Sequence, residues 1–275
     1  MSSKVMLEAV EAVVAGLAEP LTFAVRSGEM LAVTGPALAG KTALLRALTG
    51  ENKPSAGSIH RAGAIAFADL PIKAGTTANG LLKSLRPTPA ADRTRDALVA
   101  LGLYGFTSTR ASALPESLRA SLPLVPILAS AAPLLVMDGD LDRLSPYCLR
   151  PTLKFMRRRR TEGVAIVVAT QRDEVLRESD SILGLSAGRR RLWASPEELL
   201  AAERQRCATI KPVASVPSNS IRALTKVRAT LGDPANIAAA SADDAIEAVL
   251  QGCGQVEVTL QGYRRLGDIL IDLLG

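Results

Sequence analysis

Short apolar runs near the start of the chain predict two strands, a loop and a helix in succession. The patterns of residues 4–13 and 20–35 are typical of strands, with turns at Gly16 and at Ser27-Gly28. The second segment ends in the apolar run Met30–Val33, which leads into a loop that contains two glycines. Leucines then recur at helical spacing over residues 41–48. The pattern therefore predicts strand, loop and helix in that order.

Two later runs, residues 133–140 and 164–170, are apolar almost throughout, which is typical of buried central strands. A helix is predicted between them over residues 148–163, with Pro151 in its first turn. Helices are also predicted at 90–102, 173–180 and 195–204, and a hairpin at 181–193. The alternation of buried strands with helices predicts an α/β fold.

The composition changes near residue 211, where prolines and serines cluster. We therefore predict a first domain over residues 1–206, with a helical subdomain at about 71–130, a linker at 207–220 and a small α+β domain at 221–275. Within the last domain the pattern predicts helices at Ile221–Leu231, Ala242–Gln251 and Arg264–Leu274, and a strand at Val256–Leu260.

The amino-acid composition argues against several classes of protein and of binding site. No apolar run approaches the roughly 18 residues that span a bilayer, and Glu8 and Glu11 interrupt the N-terminal region, so a cytoplasmic chain is expected. Three widely spaced cysteines do not suggest a disulfide framework, and a single histidine, His60, argues against a histidine-based metal site or triad.

The net charge of +6 arises partly from two arginine runs, 157–160 and 189–191. Such runs can bind nucleic acid or an anionic membrane. No aromatic residues alternate with them, and the first run ends a predicted helix, where cations are favoured. We therefore predict a solvated surface and no nucleic-acid partner.

The loop "GPALAGKT", residues 35–42, has the spacing of a phosphate-binding loop. Its glycines let backbone N–H groups face phosphates, and Lys41 neutralises their charge. The residues expected to bind the nucleotide are Gly35, Gly40, Lys41, Thr42 and Ala43. Magnesium would be held by the Thr42 hydroxyl and by Asp138 at the end of a buried strand. ATP and Mg²⁺ are therefore the expected ligands.

The segments 23–59, 133–146 and 164–199 resemble the nucleotide-binding domain of ABC transporters. They contain the phosphate-binding loop, "PLLVMDGDLDRLSP" at the position of the Walker B strand and D-loop, and the switch-loop strand "VAIVVATQ". The resemblance implies a P-loop NTPase fold of ABC ATPase type, with a mixed sheet core and a helical subdomain. The terminal "LGDILIDLLG" is similar to the C-terminal extension of export-type ABC ATPases.

The sequence differs from the family pattern at the residues that this family uses to hydrolyse ATP. Gly139 stands at the position of the catalytic glutamate, and Gln171 at that of the switch histidine. Asp140 is a substitute base one residue later, on a side chain expected to point elsewhere. The signature motif corresponds to "LPESL", residues 114–118. Losing a water-activating group costs on the order of 3 to 5 kcal/mol, which predicts impaired hydrolysis.

Other positions also lack the residues that the family pattern predicts. Asp69 and Leu70 replace the expected glutamine, Ser145 replaces the D-loop aspartate, and "AVVAGLAEP" offers no aromatic residue to stack on adenine.

Three hypotheses remain open. The first is a degenerate ATP-binding subunit that works with a separately encoded permease, at the inner face of the membrane, and with a second, conventional ABC ATPase. The second is a slow transport ATPase that uses Asp140 and Gln171. The third is a nucleotide-sensing scaffold module without a transport role.

Overall fold

The computed structural model describes residues 4–67, 72–207 and 266–274. The chain divides into one unit made of Met1–Pro196 with Leu270–Gly275 and another made of Glu197–Ile269. The predicted linker and most of the predicted C-terminal domain lie outside the described residues. The site discussed below belongs wholly to the first unit.

A three-stranded antiparallel sheet is formed by β1 (Val5–Val13), β2 (Leu21–Arg26) and β4 (Ala56–Arg61), in the order β2-β1-β4. One face of β2 is buried at alternate positions, as its sequence predicts. Ala9 lies opposite Phe23 on one side and Ile59 on the other. The two strands predicted at the start of the chain are therefore confirmed.

A six-stranded sheet has the order β5-β6-β7-β3-β8-β9. Its strands are β3 (Met30–Thr34), β5 (Ile65–Ala66), β6 (Leu134–Asp138), β7 (Ala165–Ala169), β8 (Ser181–Ser186) and β9 (Arg189–Ala194). All neighbours pair in parallel except β8 and β9, which form the predicted hairpin. The central strands β3 and β7 are buried along their whole length, which explains why their sequences are apolar throughout.

The described residues also form a series of helices. They are α1 (Lys41–Thr49), α2 (Ala78–Lys83), α3 (Ala91–Ala100), α4 (Glu116–Arg119), α5 (Leu124–Ala129), α6 (Pro146–Thr161), α7 (Asp173–Leu176), α8 (Pro196–Cys207) and α9 (Leu266–Leu274). None of the helices in the described residues is both long and apolar enough to cross a bilayer.

Helix α1 joins the two sheets into one core. Its residues Leu44, Leu45 and Leu48 are fully buried in a cluster with apolar side chains from both sheets. The guanidinium of Arg61 on β4 donates to the carbonyls of Ala47 and Leu48, at 2.6 Å each. These carbonyls lie in the last turn of the helix, where the usual donor four residues further on is missing; that of Ala47 also accepts from the capping N–H of Gly50 at 3.2 Å. The phosphate-binding loop therefore precedes a helix that is fixed at its far end.

The predicted start of α6, at residue 148, is two residues late. The helix begins at Pro146, because the Ser145 hydroxyl accepts from the backbone N–H of Cys148 and caps it. Pro151 consequently lies past the first turn, inside the helix.

The predicted solvated surface is also wrong for part of the run 157–160. The run does end α6, but Arg159 is buried, and its guanidinium donates to the carbonyls of Leu128 and Ser130 at 3.0 and 3.1 Å. Buried carbonyls need such donors, so the charge is used inside the fold. The second run lies on β9, where its side chains are exposed.

Candidate functional site

The predicted site residues meet where three adjacent parallel strands end. β3 leads into the loop 35–40, β7 leads into Thr170 and Gln171, and β6 ends at Asp138. Because β7 lies between β3 and β6 in the sheet, the three strand ends share one edge. Ligands of α/β proteins commonly bind at this carboxyl edge.

Lys41 points back over the loop that precedes it. Its ammonium donates to the carbonyl oxygens of Gly35 and Pro36, at 2.7 Å each. Partial burial lowers the pKa of the Lys41 ammonium, and the negative charges of Asp138 and Asp142 oppose that shift. The lysine thus lies at the centre of the site, between the loop and two carboxylates.

The start of α1 is covered by the loop that joins β1 and β2. The Leu17 side chain lies so close to Gly40 that a Cβ built on that glycine would be 2.5 Å from Leu17 Cδ2. Ala43 is partly buried and packs against the core, whereas Thr42 is exposed at the first turn of α1. The sequence does not single out Leu17, because the family resemblance predicts an aromatic residue in this loop.

Leu38 is a second residue that sequence reasoning missed. It has φ 62°, the left-handed conformation that glycine tolerates best, and its side chain is fully exposed. The signal in the sequence is a branched side chain within a glycine-containing loop.

Gly139 continues directly from β6 but turns the chain away from it. Its φ is 73°, and nothing lies within 4 Å of the place where a Cβ would be. Its N–H donates to the carbonyl of Ala169 at 3.0 Å, which keeps the turn against β7. The position predicted for the catalytic glutamate therefore has open space and a backbone that disfavours any side chain.

The carboxylate of Asp140 folds back toward its own strand. It accepts a hydrogen bond of 3.3 Å from the backbone N–H of Asp138. Asp140 also begins a 3₁₀ turn over Leu141–Arg143. Because β6 ends at Asp138, this orientation follows from the left-handed turn at Gly139 and not from alternation along a strand.

Gln171 connects the end of β7 with the phosphate-binding loop. Its side-chain amide donates to the carbonyl of Gly35 at 2.8 Å, which is the oxygen that Lys41 also contacts. Its backbone N–H donates to the Asp142 carboxylate at 3.0 Å. Asp142 is thus part of the site, although nothing in the sequence distinguishes it from the other residues of the turn after β6.

The oxygen ligands that these residues offer are of the type that magnesium binds. Mg²⁺ prefers oxygen ligands and commonly takes one or two carboxylates together with substrate phosphates. Thr42, which follows Lys41 in the chain, supplies a hydroxyl, and Asp138, whose charge acts on Lys41, supplies a carboxylate. No group of three or more His, Cys, Asp or Glu side chains that could hold a metal occurs among the described residues. A site that shares its metal with a bound phosphate is consistent with both observations.

The segment that corresponds to the signature motif forms a short helix. Pro115 precedes α4, which begins at Glu116 and ends after one turn, and α5 follows at Leu124. Pro123 lies directly before α5, at the break between the two short helices. Asp69 and Leu70, which replace the expected glutamine, lie outside the described residues.

Comparisons with known proteins agree with this fold. Residues 18–139 match the family model described as ABC transporter. The chain is 28% identical over 200 residues to the sulfate/thiosulfate import ATP-binding protein CysA 2 of Chromobacterium violaceum, which covers 65% of this chain and 54% of that protein. It is 28% identical over 158 residues to the cytochrome c biogenesis ATP-binding export protein CcmA of Zymomonas mobilis, covering 54% of this chain and 69% of that protein.

A solved structure of the ATP-binding subunit of an ABC transporter has the same fold. The TM-score is 0.58 at 20% sequence identity, over 74% of this chain and 95% of that one. The chain spans about half the length of the import protein that it matches.

Proposed function

Since the chain carries a nucleotide-binding domain of the ABC transporter family, we propose that it is an ATP-binding subunit that holds Mg-ATP and hydrolyses it slowly or not at all. The phosphates would lie on the loop from Gly35 to Gly40 and on the first turn of α1. Lys41 would exchange its two carbonyl partners for phosphate oxygens. Thr42 and Asp138 would hold Mg²⁺, which neutralises phosphate charge when bound.

The absence of a side chain at Gly139 is the observation that carries the proposal. The family pattern places the water-activating carboxylate at this position, directly after β6. The nearest acid in sequence, Asp140, is turned toward the backbone of Asp138. A water molecule at the phosphate end would therefore have no carboxylate of the usual kind to orient it, while the groups that bind phosphate remain in place.

We further propose that the subunit works with a separately encoded permease at the inner face of the membrane. A conventional ABC ATPase would supply the hydrolysis that this chain lacks. The similarity of the C-terminal helix to that of export-type ATPases favours export as the direction. The C-terminal domain and the linker at 207–220 remain part of this proposal.

Paired binding and turnover measurements test the proposal. Calorimetry with Mg-ATP should give saturable binding that Lys41→Ala abolishes. The matched control is Lys154→Ala, which removes an exposed lysine of α6 and should leave binding unchanged. Phosphate release should stay below about 0.1 per second, since working enzymes typically turn over at 1 per second or faster.

Either of two results would overturn the proposal. If wild-type protein does not bind Mg-ATP, the ATP-binding function is wrong. Turnover above about 0.1 per second that Lys41→Ala removes would identify a conventional ATPase instead.

A further inference from the structure

The carboxylate of Asp142 holds the segment that follows β7. One of its oxygens accepts from the Thr170 hydroxyl and the other accepts from the backbone N–H of Gln171 at 3.0 Å. The two donors belong to successive residues, so a single side chain orients the backbone on both sides of the Thr170–Gln171 peptide bond. Asp142 itself lies in the 3₁₀ turn Leu141–Arg143 that follows β6.

Arg172 also bonds the segment that follows β7 to the turn that follows β6. Its guanidinium donates to the carbonyl of Leu144 at 2.5 Å and makes a longer contact of 3.4 Å to that of Leu141. Its backbone N–H donates to the Thr170 hydroxyl at 3.0 Å. The segment 170–172 is thus bonded to the turn 141–144 at both ends. This leaves the Gln171 side chain as the part that reaches away from the turn.

The Gln171 amide reaches the lysine end of the phosphate-binding loop. It shares the Gly35 carbonyl with the Lys41 ammonium, so the two donors converge on one oxygen. In a phosphate-binding loop the lysine pairs with the β- and γ-phosphates. A donor beside the lysine is therefore placed to contact the terminal phosphate rather than the base or the ribose.

We propose that Asp142 is a positioning residue that holds the Gln171 amide at the terminal phosphate and thereby sets the preference of the site for ATP over ADP. The proposal rests on the proposed ATP-binding function. Asp142 acts through Gln171 and touches no nucleotide itself. Because the Gln171 backbone is fixed by Asp142, the amide need not be ordered when ATP binds, which preserves affinity for the nucleotide that carries the third phosphate.

The test compares the affinities for Mg-ATP and Mg-ADP by calorimetry. Gln171→Ala should weaken ATP binding about tenfold, as expected for a hydrogen bond to a charged group, and change ADP binding by less than about twofold. Asp142→Ala should give the same selective loss. The double variant should lose no more than either single variant, because the two residues act as one unit.

Asp142→Asn separates geometry from charge. The asparagine carbonyl can still accept from the Gln171 N–H, and its amide can donate to the Thr170 hydroxyl, so the preference for ATP should be retained. Asp92→Ala, which removes an exposed carboxylate of α3, is the matched control and should leave the ratio of affinities unchanged.

Three results would overturn the inference. These are an unchanged ratio in Asp142→Ala, an equal loss of ATP and ADP affinity, or an asparagine variant that behaves like the alanine variant. Should Asp142→Ala fail to fold, Thr170→Val removes one of the two donors and must lower the same ratio. If wild-type protein binds no ATP, the proposed function fails and this inference fails with it. ATP binding with an unaltered ratio in the variants contradicts the inference alone.

Discussion

Leu38, in the loop that leads to Lys41, has a backbone conformation that does not suit its side chain. Its φ of 62° is left-handed, and its exposed side chain has no burial to offset the strain. A left-handed residue other than glycine costs roughly 1 to 2 kcal/mol. The conformation is therefore imposed by the loop, which suggests that the turn of the phosphate-binding loop outweighs the local preference of leucine.

Substitutions at Leu38 should separate conformational strain from side-chain contacts. Leu38→Val should lower the free energy of unfolding by about 1 kcal/mol, because a β-branched residue tolerates positive φ least. Leu38→Gly should not lower it, since relief of strain offsets the greater freedom of glycine in the unfolded chain. Urea unfolding measures both. A valine variant as stable as the glycine variant would show that the loop does not keep this conformation in solution.

Gly139 offers a matched comparison with a second glycine. A Cβ would meet nothing within 4 Å at either Gly139 or Gly75, but only Gly139 has positive φ. Gly139→Ala should therefore lower the free energy of unfolding by about 1 kcal/mol, while Gly75→Ala should not. Equal effects in urea unfolding would contradict a left-handed turn after β6. The comparison also bears on chemistry, because a glutamate restored at this position would face the same backbone cost.

At the scale of elements, the arginines that end α6 perform different tasks. Arg160 donates to the carbonyl of Gly28 at 2.9 Å, to the carbonyl of Glu178 at 2.8 Å and to the Asp180 carboxylate at 2.5 Å. The same carboxylate accepts from the backbone N–H of Met30 at the start of β3. Arg160 thus ties the end of α6 to the strand that leads into the phosphate-binding loop.

Substitutions of two arginines of α6 test this connection. Arg160→Ala should lower the free energy of unfolding by about 2 to 3 kcal/mol, because charged hydrogen bonds are lost and partly buried acceptors remain. Arg157→Ala removes an ion pair with Glu178 from an arginine that is 60% exposed, and should cost less than about 1 kcal/mol. Thermal or urea unfolding of the two variants measures the difference. Similar losses would show that the helix end is not held by Arg160.

These elements also show how far the sequence could predict the structure. The strands β3, β6 and β7 were predictable because strands buried on both faces need apolar residues at every position. Lys41, Asp138 and Gln171 could be placed at one edge because parallel strands end together. The burial of Arg159 and the contact of Asp142 with Gln171 were not predictable. They join residues from different elements, and nothing local in the sequence specifies those partners.

At the scale of the whole molecule, the chain retains the phosphate-binding loop but has an altered signature segment. This difference affects how two subunits would associate around a nucleotide. The family resemblance pairs the phosphate-binding loop of one subunit with the signature segment of another. Here that segment offers Pro115, which has no N–H to donate, and Glu116, whose negative charge opposes phosphate. Two copies of this chain would therefore meet a bound nucleotide with repulsion rather than with hydrogen bonds.

We accordingly expect Mg-ATP to leave the association state of the isolated chain unchanged. Sedimentation velocity with Mg-ATP, Mg-ADP and no nucleotide should give the same sedimentation coefficient. Glu116→Gln removes the charge while keeping the size of the side chain, so it should increase any association that ATP induces. Dimerisation of the wild-type chain by ATP alone would contradict the need for a different partner subunit. A partner with an intact signature segment should instead associate with this chain only when Mg-ATP is present, because that segment supplies the donors that residues 114–118 lack.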